Sequence, residues 1–185
     1  MKERHVSISK FLSLVLRHQP EKVGITLDRE GWVTVAELLE ALEAHGRHMT
    51  PDELHEVVRA NDKQRFAFSL DGLSIRASQG HSVQVELGYE PSEPPPALYH
   101  GTAERSLPSI RQQGLVRGRR HHVHLSEQET TAVAVGRRYG RPVILEIASG
   151  AMHADGHAFF RSANGVWLTE HVPARYITFG DGEPR

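Results

Sequence analysis

The stretch YEPSEPPPALY, residues 89–99, contains four prolines and constrains the fold more than any other part of the chain. Proline fixes its own φ angle and lacks a backbone N–H, so neither a helix interior nor a central strand tolerates such a run. We therefore predict an extended linker at residues 89–96. It divides the 185 residues into a first lobe, residues 1–88, and a second lobe, residues 97–185.

The first lobe carries strong helix signals. The segment VSISKFLSLVLRH, residues 6–18, places its apolar side chains roughly on one helical face. Thr34 and Thr50 each precede a glutamate by three residues, which is the capping-box pattern at a helix start. Pro51, at the first position of the last helix, strengthens that signal. Three helices are therefore predicted.

The first lobe also carries strand signals. The segment ITLDREGWVTV, residues 25–35, predicts two β-rich runs around a turn. Alternating residues on both sides of Asp71 and Gly72 predict a β-hairpin. Helices followed by such a hairpin are typical of a winged-helix lobe.

The second lobe alternates short strands with helices. Strands are predicted at HHVHLS, PVILEIAS, ARYITF and ALYHGT, the last running into a turn. Helices are predicted at SLPSIRQQG, ending at Gly114, and after a Ser126–Glu129 cap, ending at Gly140. A hairpin is predicted around Asn164 and Gly165. The whole indicates an α+β lobe with a mostly antiparallel sheet.

Charge and composition exclude several kinds of protein. The formal net charge is −1 and there is no cysteine. Disulfides, zinc–thiolate sites and thiol catalysis are thus excluded, and so is a protein that grips nucleic acid through bulk charge. No segment reaches the roughly 18 apolar residues of a membrane span, and the start MKERHVSISK lacks the apolar core of a signal peptide. We expect a cytoplasmic protein.

The stretch RRHHVHLS, residues 119–126, concentrates arginine and histidine. In a strand His122 and His124 point to the same face, and such a pair supplies half of a metal site. His100 is the available third ligand, but no H-E-x-x-H pattern is present. A polar strand edge with surface histidines explains the same residues. The sequence predicts no metal.

The basic residues of the second lobe are all arginine, because the four lysines lie in the first 90 residues. Arginine presents a planar set of donors that fits phosphate oxygens in pairs. A GC-rich genome explains the bias equally well. The phosphate-binding patterns G-x-G-x-x-G and G-x-x-x-x-G-K-[ST] are absent. In YHGT, residues 99–102, Gly101 would let the backbone approach a ligand.

Six stretches together resemble the RNA 2′-phosphotransferase family, usually called tRNA 2′-phosphotransferase. They span nearly the whole chain in the family's order: SKFLSLVLRHQP, GITLDREGWV, NDKQRF, LYHGT, RRHHVHLS and SANGVWLTEHVP. The resemblance implies an α+β protein with an N-terminal winged-helix lobe and a C-terminal lobe of the ADP-ribosyltransferase type.

The resemblance also implies a reaction. The family moves an internal RNA 2′-phosphate, as in a tRNA, to NAD through an ADP-ribosylated RNA intermediate. The products are 2′-hydroxyl RNA, nicotinamide and ADP-ribose 1″,2″-cyclic phosphate. No metal, membrane or protein partner is implied. RNA contacts beyond the phosphate stay open, with Lys10, Lys63 and Arg137–Arg138 as candidates.

The family's catalytic tetrad is Arg, His, Arg and Arg. Its residues fall on Arg17, His18, Arg65 and Arg120 of this sequence. Arg119 is adjacent to Arg120, so the last assignment could shift by one. We expect Arg65 and Arg120 to clamp the phosphate, Arg17 to assist, and His18 to act as general acid in the second step.

The resemblance places NAD on the second lobe. The residues expected to hold its adenosine and ribose end are His100, Gly101 and Thr102. Those expected around its nicotinamide half are His124, Leu125 and Ser126. Val166 stands where many ADP-ribosyltransferases carry a catalytic glutamate, as the family's own pattern has it.

Two other functions remain open at this point. The first is an ADP-ribosyltransferase that stops after one step, on a nucleic-acid phosphate or on protein, for which Glu170 is a poor replacement for the missing glutamate. The second is a winged-helix regulator with a ligand-sensing lobe. It would need a basic recognition helix, whereas DELHEVVRAND, residues 52–62, is acidic.

Overall fold

The computed structural model describes residues 2–61, 63–136 and 141–179. The chain divides into two compact units, Met1–Gly88 and Tyr89–Arg185. Each unit has its own hydrophobic core. Both combine helices with antiparallel strands, so the predicted α+β class is confirmed.

The first unit places helices beside a small antiparallel sheet. Its elements are α1 (Lys2–Arg17), a 3-10 turn (Pro20–Val23), β1 (Val33–Thr34), α2 (Val35–Ala44), α3 (Pro51–Arg59), β2 (Phe66–Phe68) and β3 (Ser74–Ala77). The strand order is β1-β3-β2, with Phe68 opposite Ile75. The hairpin predicted around Asp71 and Gly72 is therefore confirmed.

Local capping sets where α2 and α3 begin. The Thr34 hydroxyl accepts from the Glu37 N–H at 3.1 Å, and the Thr50 hydroxyl accepts from the Glu53 N–H at 3.2 Å. Each bond satisfies one of the N–H groups that a helix start leaves without an intrahelical partner. Both predicted helix starts are confirmed.

The apolar face of α1 forms the centre of the first core. Leu12, Val15 and Leu16 are fully buried, and they belong to one cluster with Leu38 and Ile75. Burial of each leucine contributes about 2 kcal/mol. The cluster thereby fixes α1, and the arginine at its end, against the rest of the unit.

The expectation of two strands in residues 25–35 is wrong in part. Only Val33–Thr34 forms a strand, because the Asp28 side chain takes the backbone of the preceding segment into a turn. Its Oδ1 accepts from the N–H groups of Glu30 at 2.9 Å and Trp32 at 2.8 Å. An aspartate side chain that accepts from the backbone N–H two residues later offers the backbone an alternative to strand pairing.

The second unit contains short strands interleaved with short helices. Its elements are β4 (Leu98–Ala103), a 3-10 turn (Glu104–Ser106), α4 (Leu107–Gln113), β5 (Leu115–Val116), β6 (Val123–Leu125), α5 (Glu129–Gly136), β7 (Pro142–Ile147), α6 (Ser149–Ala154), β8 (Phe160–Arg161), β9 (Trp167–Thr169), β10 (His171–Val172), a 3-10 turn (Ala174–Tyr176) and β11 (Ile177–Phe179).

Two three-stranded sheets organise this unit, and a two-stranded one joins β5 to β10. Their orders are β11-β7-β4 and β6-β9-β8, and the described pairings are antiparallel. Tyr99 and Ser126 exchange two backbone hydrogen bonds, of 2.8 and 2.9 Å, which join β4 to the end of β6. The hairpin predicted around Asn164 and Gly165 is confirmed as β8–β9.

The proline-rich stretch is tied to the second unit. Ser92 donates its N–H to the Phe159 carbonyl at 2.8 Å. The Pro95 carbonyl accepts from the buried Ser149 hydroxyl at 2.6 Å, and the Pro96 carbonyl accepts from the Gly150 N–H at 3.1 Å. Proline has no backbone N–H to donate, but its carbonyl oxygen still accepts hydrogen bonds. The carbonyls of Pro95 and Pro96 thus bond the first two residues of α6.

Two predicted boundaries in the second unit are wrong. The turn expected after His100 is strand, because β4 pairs with β7 from Leu98 to Ala103. The cap expected at Ser126 does not form, because α5 begins at Glu129 and the Ser126 N–H bonds Tyr99 instead. The predicted end of this helix, Gly140, lies outside the described residues.

Packing in the second unit requires a glycine at position 101. A Cβ atom at this position would lie 1.7 Å from the carbonyl oxygen of Ala132, a backbone atom of α5. The absence of a side chain therefore lets α5 approach β4 closely.

Among the helices that the structure describes, none is long and apolar enough to cross a membrane.

The substitution Gly101→Ala tests this close approach. We expect it to lower the free energy of unfolding by about 3 kcal/mol or more, the upper range for overpacking, because the obstacle is backbone. The matched control is Gly156→Ala, where a Cβ has open space but the φ angle is +91°; its cost should be about 1–2 kcal/mol. Urea unfolding of the full chain measures both, and equal losses would contradict the packing argument.

Candidate active site

The structure groups the predicted site residues into two sets, one in each unit. The first-unit site consists of Arg17, His18 and Arg65, which hydrogen bonds bring to the same region. The second-unit site is built on β4 and β6, where His100, Arg120 and His124 form a chain of contacts.

Arg17 is the last residue of α1 and is 9% exposed. Its Nη2 donates to the Arg65 carbonyl at 3.2 Å. The same carbonyl accepts from the Ser78 N–H at 2.8 Å. The Arg17 side chain thus bonds the backbone of another predicted site residue at the base of the β2–β3 hairpin.

His18 follows directly and is held by the loop after β3. Its Nδ1 lies 2.9 Å from the Ser82 hydroxyl oxygen, and the tautomer decides which of the two donates. The Ser82 N–H donates to the Arg17 carbonyl at 2.9 Å. One serine therefore contacts both residues of the Arg-His pair, through its backbone and its side chain.

The Arg65 side chain is held by a buried amide. Its Nη1 donates to Oδ1 of Asn61 at 3.2 Å, and the Lys63 N–H donates to the same oxygen at 3.2 Å. Because both donors are unambiguous, the other end of the amide must be Nδ2, which donates to the Ser9 hydroxyl at 2.7 Å. Asn61 and Ser9 are each 8% exposed.

The backbone just before Arg65 is strained. Gln64 has a φ of +42°, the one positive value among the non-glycine residues that the structure describes. Its carbonyl accepts from the Ser78 hydroxyl at 2.9 Å. Such a conformation costs about 1–3 kcal/mol and persists only where the surroundings enforce it. The strain is stored next to a predicted phosphate ligand.

In the second unit His100 and His124 are coupled through a hydrogen bond. Nδ1 of His100 donates to the His124 carbonyl at 3.0 Å, so this nitrogen carries the proton. Burial lowers the pKa of His100, the hydrogen bond to the carbonyl opposes this, and the charge of Arg120 lowers the pKa further. His100 is therefore neutral near pH 7.

Arg120 is the arginine of the pair 119–120 that reaches this site. Its Nη1 lies 3.3 Å from Nδ1 of His124, which accepts because a guanidinium only donates. Arg119 makes no hydrogen bond or ion pair with the residues that the structure describes. Of the two arginines, Arg120 is therefore the one that contacts His124.

The other residues predicted to bind NAD have varied surroundings. Leu125 lies in the core at 1% exposed and Thr102 is 8% exposed, whereas Ser126 is half-buried beside Tyr99. Val166 sits in the β8–β9 turn, where its N–H donates to the Ser162 hydroxyl at 3.0 Å.

The His122 ring packs against the aromatic rings of Phe160 and Tyr89. Its ring lies 5.6 Å from that of Phe160 and 6.3 Å from that of Tyr89, between centroids. Burial is the largest cause that lowers its pKa, with the nearby charges of His121 and Arg117 adding to it. Within the described ranges, no group of three or more His, Asp or Glu side chains is arranged to hold a metal ion.

Sequence reasoning missed the residues that hold the predicted ones. Ser82 and Ser78 belong to none of the six stretches. Ser9 and Asn61 had a signal, since they open the stretches SKFLSLVLRHQP and NDKQRF, but their hydrogen bond to each other was not predicted. The candidate RNA ligands Arg137 and Arg138 lie outside the described residues.

Comparison with known proteins decides the family. A family model described as "RNA 2′-phosphotransferase, Tpt1/KptA family" matches residues 3–171. A probable RNA 2′-phosphotransferase of Streptomyces coelicolor is 54% identical over 177 residues, covering 96% of both chains. One of Pseudomonas aeruginosa is 57% identical over 170 residues, covering 91% of this chain and 93% of the relative.

This chain belongs to the RNA 2′-phosphotransferase family. The resemblance drawn from six short stretches is thereby confirmed, and this family member is an enzyme of the transferase class. A more distant relative, from Acaryochloris marina, is 49% identical over 177 residues and carries the same description.

The buried amide of this phosphotransferase family member makes a stability prediction. Ser9→Ala and Asn61→Ala should each lower the free energy of unfolding by about 1–3 kcal/mol, because each leaves a buried polar partner unsatisfied. The double variant should lose less than the sum, since both changes remove the same bond. Ser7→Ala, an exposed serine on the same helix, is the control. Additive losses would contradict the bond.

The neutral state of His100 makes a pH prediction. Its folded pKa lies below the ordinary 6.5, so at acid pH the unfolded chain binds a proton that the folded chain excludes. Stability should therefore fall as the pH drops below about 6.5 and level off below the folded pKa. His100→Gln removes this component, so its stability should approach that of the wild type on acidification. Parallel melting-temperature curves from pH 8 to 5 would contradict the prediction.

Proposed function

We propose that this protein is an NAD-dependent RNA 2′-phosphotransferase that removes an internal 2′-phosphate, in a tRNA or similar RNA. The 2′-phosphate attacks the anomeric carbon of the nicotinamide ribose, nicotinamide leaves, and an ADP-ribosylated RNA phosphodiester forms. The ribose 2″-hydroxyl then attacks phosphorus, and the bond to the RNA 2′-oxygen breaks. The products are 2′-hydroxyl RNA and ADP-ribose 1″,2″-cyclic phosphate.

One observation carries the proposal beyond the family match. Arg17, His18 and Arg65 are separated by up to 48 residues in the chain, yet direct hydrogen bonds and the loop at Ser82 hold them together. Two guanidinium groups suit the binding of a phosphate dianion. An imidazole can supply the proton that the leaving RNA oxygen needs in the second step.

The architecture supports the lobes that the reaction requires. The first unit has the element order α1-β1-α2-α3-β2-β3 with sheet order β1-β3-β2, which fits a winged-helix lobe. The second unit has two antiparallel sheets joined at Tyr99 and Ser126, which fits a lobe of the ADP-ribosyltransferase type. We assign RNA phosphate binding to the first and NAD binding to the second.

The residues of the second-unit site fit NAD by the chemistry of their donors. Burial keeps His100 neutral, the His124 carbonyl orients its ring, and Ser126 offers a half-buried hydroxyl. A neutral imidazole and a hydroxyl suit hydrogen bonds to ribose hydroxyls. NAD itself supplies an electrophilic sugar carbon with a good leaving group. Gly101 and Leu125 contribute through backbone position, since α5 and the core occupy their side-chain space.

The arginines act on charge in the proposed reaction. Arg65 and Arg120 clamp the nonbridging oxygens of the phosphate, where negative charge develops as the second step proceeds. Fixed guanidinium groups stabilise that charge with little reorganisation. Asn61 holds the Arg65 side chain, and His124 holds that of Arg120. No base is needed at Val166, because a phosphate nucleophile is already ionised.

His18 handles the proton in the second step. Histidine is the side chain that exchanges a proton near neutral pH. We assign it the donation of a proton to the RNA 2′-oxygen as the bond to phosphorus breaks. The Ser82 hydroxyl lies 2.9 Å from Nδ1 of His18 and orients the ring.

The direct test uses a short RNA with one internal 2′-phosphate, NAD and no added metal. Dephosphorylated RNA, free nicotinamide and the cyclic phosphate of ADP-ribose should appear in equal amounts. Accumulation of ADP-ribosylated RNA by the wild type would instead favour a one-step ADP-ribosyltransferase. Unreacted NAD would overturn the proposed activity.

Variants of the first-unit site should separate the two steps. His18→Ala and Arg65→Ala should stall at ADP-ribosylated RNA. The second step should slow about 10²- to 10⁴-fold in His18→Ala for the loss of a general acid, and about 10²- to 10³-fold in Arg65→Ala for the loss of a charge-stabilising donor. His48→Ala and Arg59→Ala, exposed residues of the same unit outside the site, are matched controls. Single-turnover assays with labelled RNA measure both steps. Equal slowing of both steps by His18→Ala would contradict its assigned role.

A further inference from the structure

The assignment of Arg120 to the clamp leaves Arg119 without a role. We infer that Arg119 binds the 3′-phosphodiester beside the 2′-phosphate, and that it thereby favours internal over terminal 2′-phosphates. The inference rests on the proposed function, and it specifies the substrate class of that site.

A tight turn fixes the backbone that carries Arg119. The Arg120 N–H donates to the Arg117 carbonyl at 3.2 Å, and Gly118 supplies the positive φ, +60°, at the second position of the turn. Nη1 of Arg117 donates to the His121 carbonyl at 3.3 Å, which closes the loop from the other side. The main chain of Arg119 is therefore held next to Arg120, with about 3.8 Å between their Cα atoms.

The charge of Arg119 is not neutralised by a carboxylate. Three other exposed arginines of the second unit have such partners: Arg141 with Glu104 at 4.0 Å, Arg161 with Glu127 at 3.0 Å, and Arg175 with Asp155 at 3.8 Å. Within the described part of the chain, neither Arg119 nor Arg117 has an ion pair. The turn thus presents adjacent positive charge beside Arg120, which suits an anionic ligand.

The chemistry of the substrate supplies a second anion beside the first. An internal 2′-phosphate shares its ribose with a 3′-phosphodiester, so two negative groups lie on neighbouring oxygens of one sugar. A terminal 2′-phosphate beside a 3′-hydroxyl has only the first. With Arg120 on the 2′-phosphate, consecutive arginines match the pair of anions, and each can form charge-assisted hydrogen bonds.

The test compares Arg119→Gln with wild type on two RNAs of the same sequence. One carries an internal 2′-phosphate, and the other ends in a nucleotide with a 2′-phosphate and a 3′-hydroxyl. On the internal substrate kcat/KM should fall about ten- to a hundredfold, the range for a lost hydrogen bond to a charged group. On the terminal substrate it should stay within about twofold, and KM for NAD should not change.

Salt dependence provides a second reading. In Arg119→Gln the slope of log kcat/KM against log salt concentration should become less steep by roughly one unit, because one phosphate contact is lost. This change should appear for the internal substrate only. Arg105→Gln is the matched control, since Arg105 is also exposed and without an ion pair in the described part of this unit. It should change neither slope nor rate.

Three results would overturn the role of Arg119: equal loss on both RNAs, no loss on either, or a raised KM for NAD, which would move it to the NAD pyrophosphate. Equilibrium binding of both RNAs by fluorescence anisotropy, without NAD, keeps this claim separate from the proposed activity. If wild type left NAD unreacted, the proposed function would fail. The difference in RNA binding would still decide whether Arg119 contacts the second phosphate.

Discussion

The carboxamide of Asn61 ties α1 to the segment that carries Arg65. Its nitrogen bonds a serine in the middle of α1, and its oxygen receives both a backbone N–H and the guanidinium of Arg65. In a buried setting each of these bonds is costly to leave unmade. The position of the Arg65 side chain thus follows from the packing of α1, whose last residue bonds the Arg65 carbonyl in turn.

The second unit uses backbone rather than side chains for the same purpose. Tyr99 and Ser126 exchange two hydrogen bonds where β4 meets β6, and this pairing places His100 beside the His124 carbonyl. The close approach of α5 to Gly101 supports β4 from another direction. Groups that must bind with small tolerance are more accurately placed on such elements than on loops. The arginine turn at residues 117–120 is the exception, and its own hydrogen bonds compensate for the missing strand.

Local signals in the sequence were sufficient for part of this architecture. The threonine caps of α2 and α3 and the two Gly-containing hairpins depend on neighbours within a few residues, and they were predicted correctly. The errors arose where a distant partner or a competing side chain decides. The Asp28 side chain prevents a strand at the residues before β1 by bonding the backbone of a turn. Pairing with β7 extends β4 across residues whose pattern predicts a turn. The contacts of Ser9 and Ser82 could not be predicted because their partners lie 52 and 64 positions away.

The hydrogen bonds of the proline-rich stretch determine where a fragment containing the second unit can begin. Pro95 and Pro96 hold the first residues of α6, and Ser92 bonds the residue before β8. A fragment that started at residue 97, where the sequence alone would place the second lobe, would leave the buried hydroxyl of Ser149 without its acceptor. One that started at Tyr89 would keep all three bonds. A segment whose composition marks it as a spacer is therefore part of the folding unit that follows it.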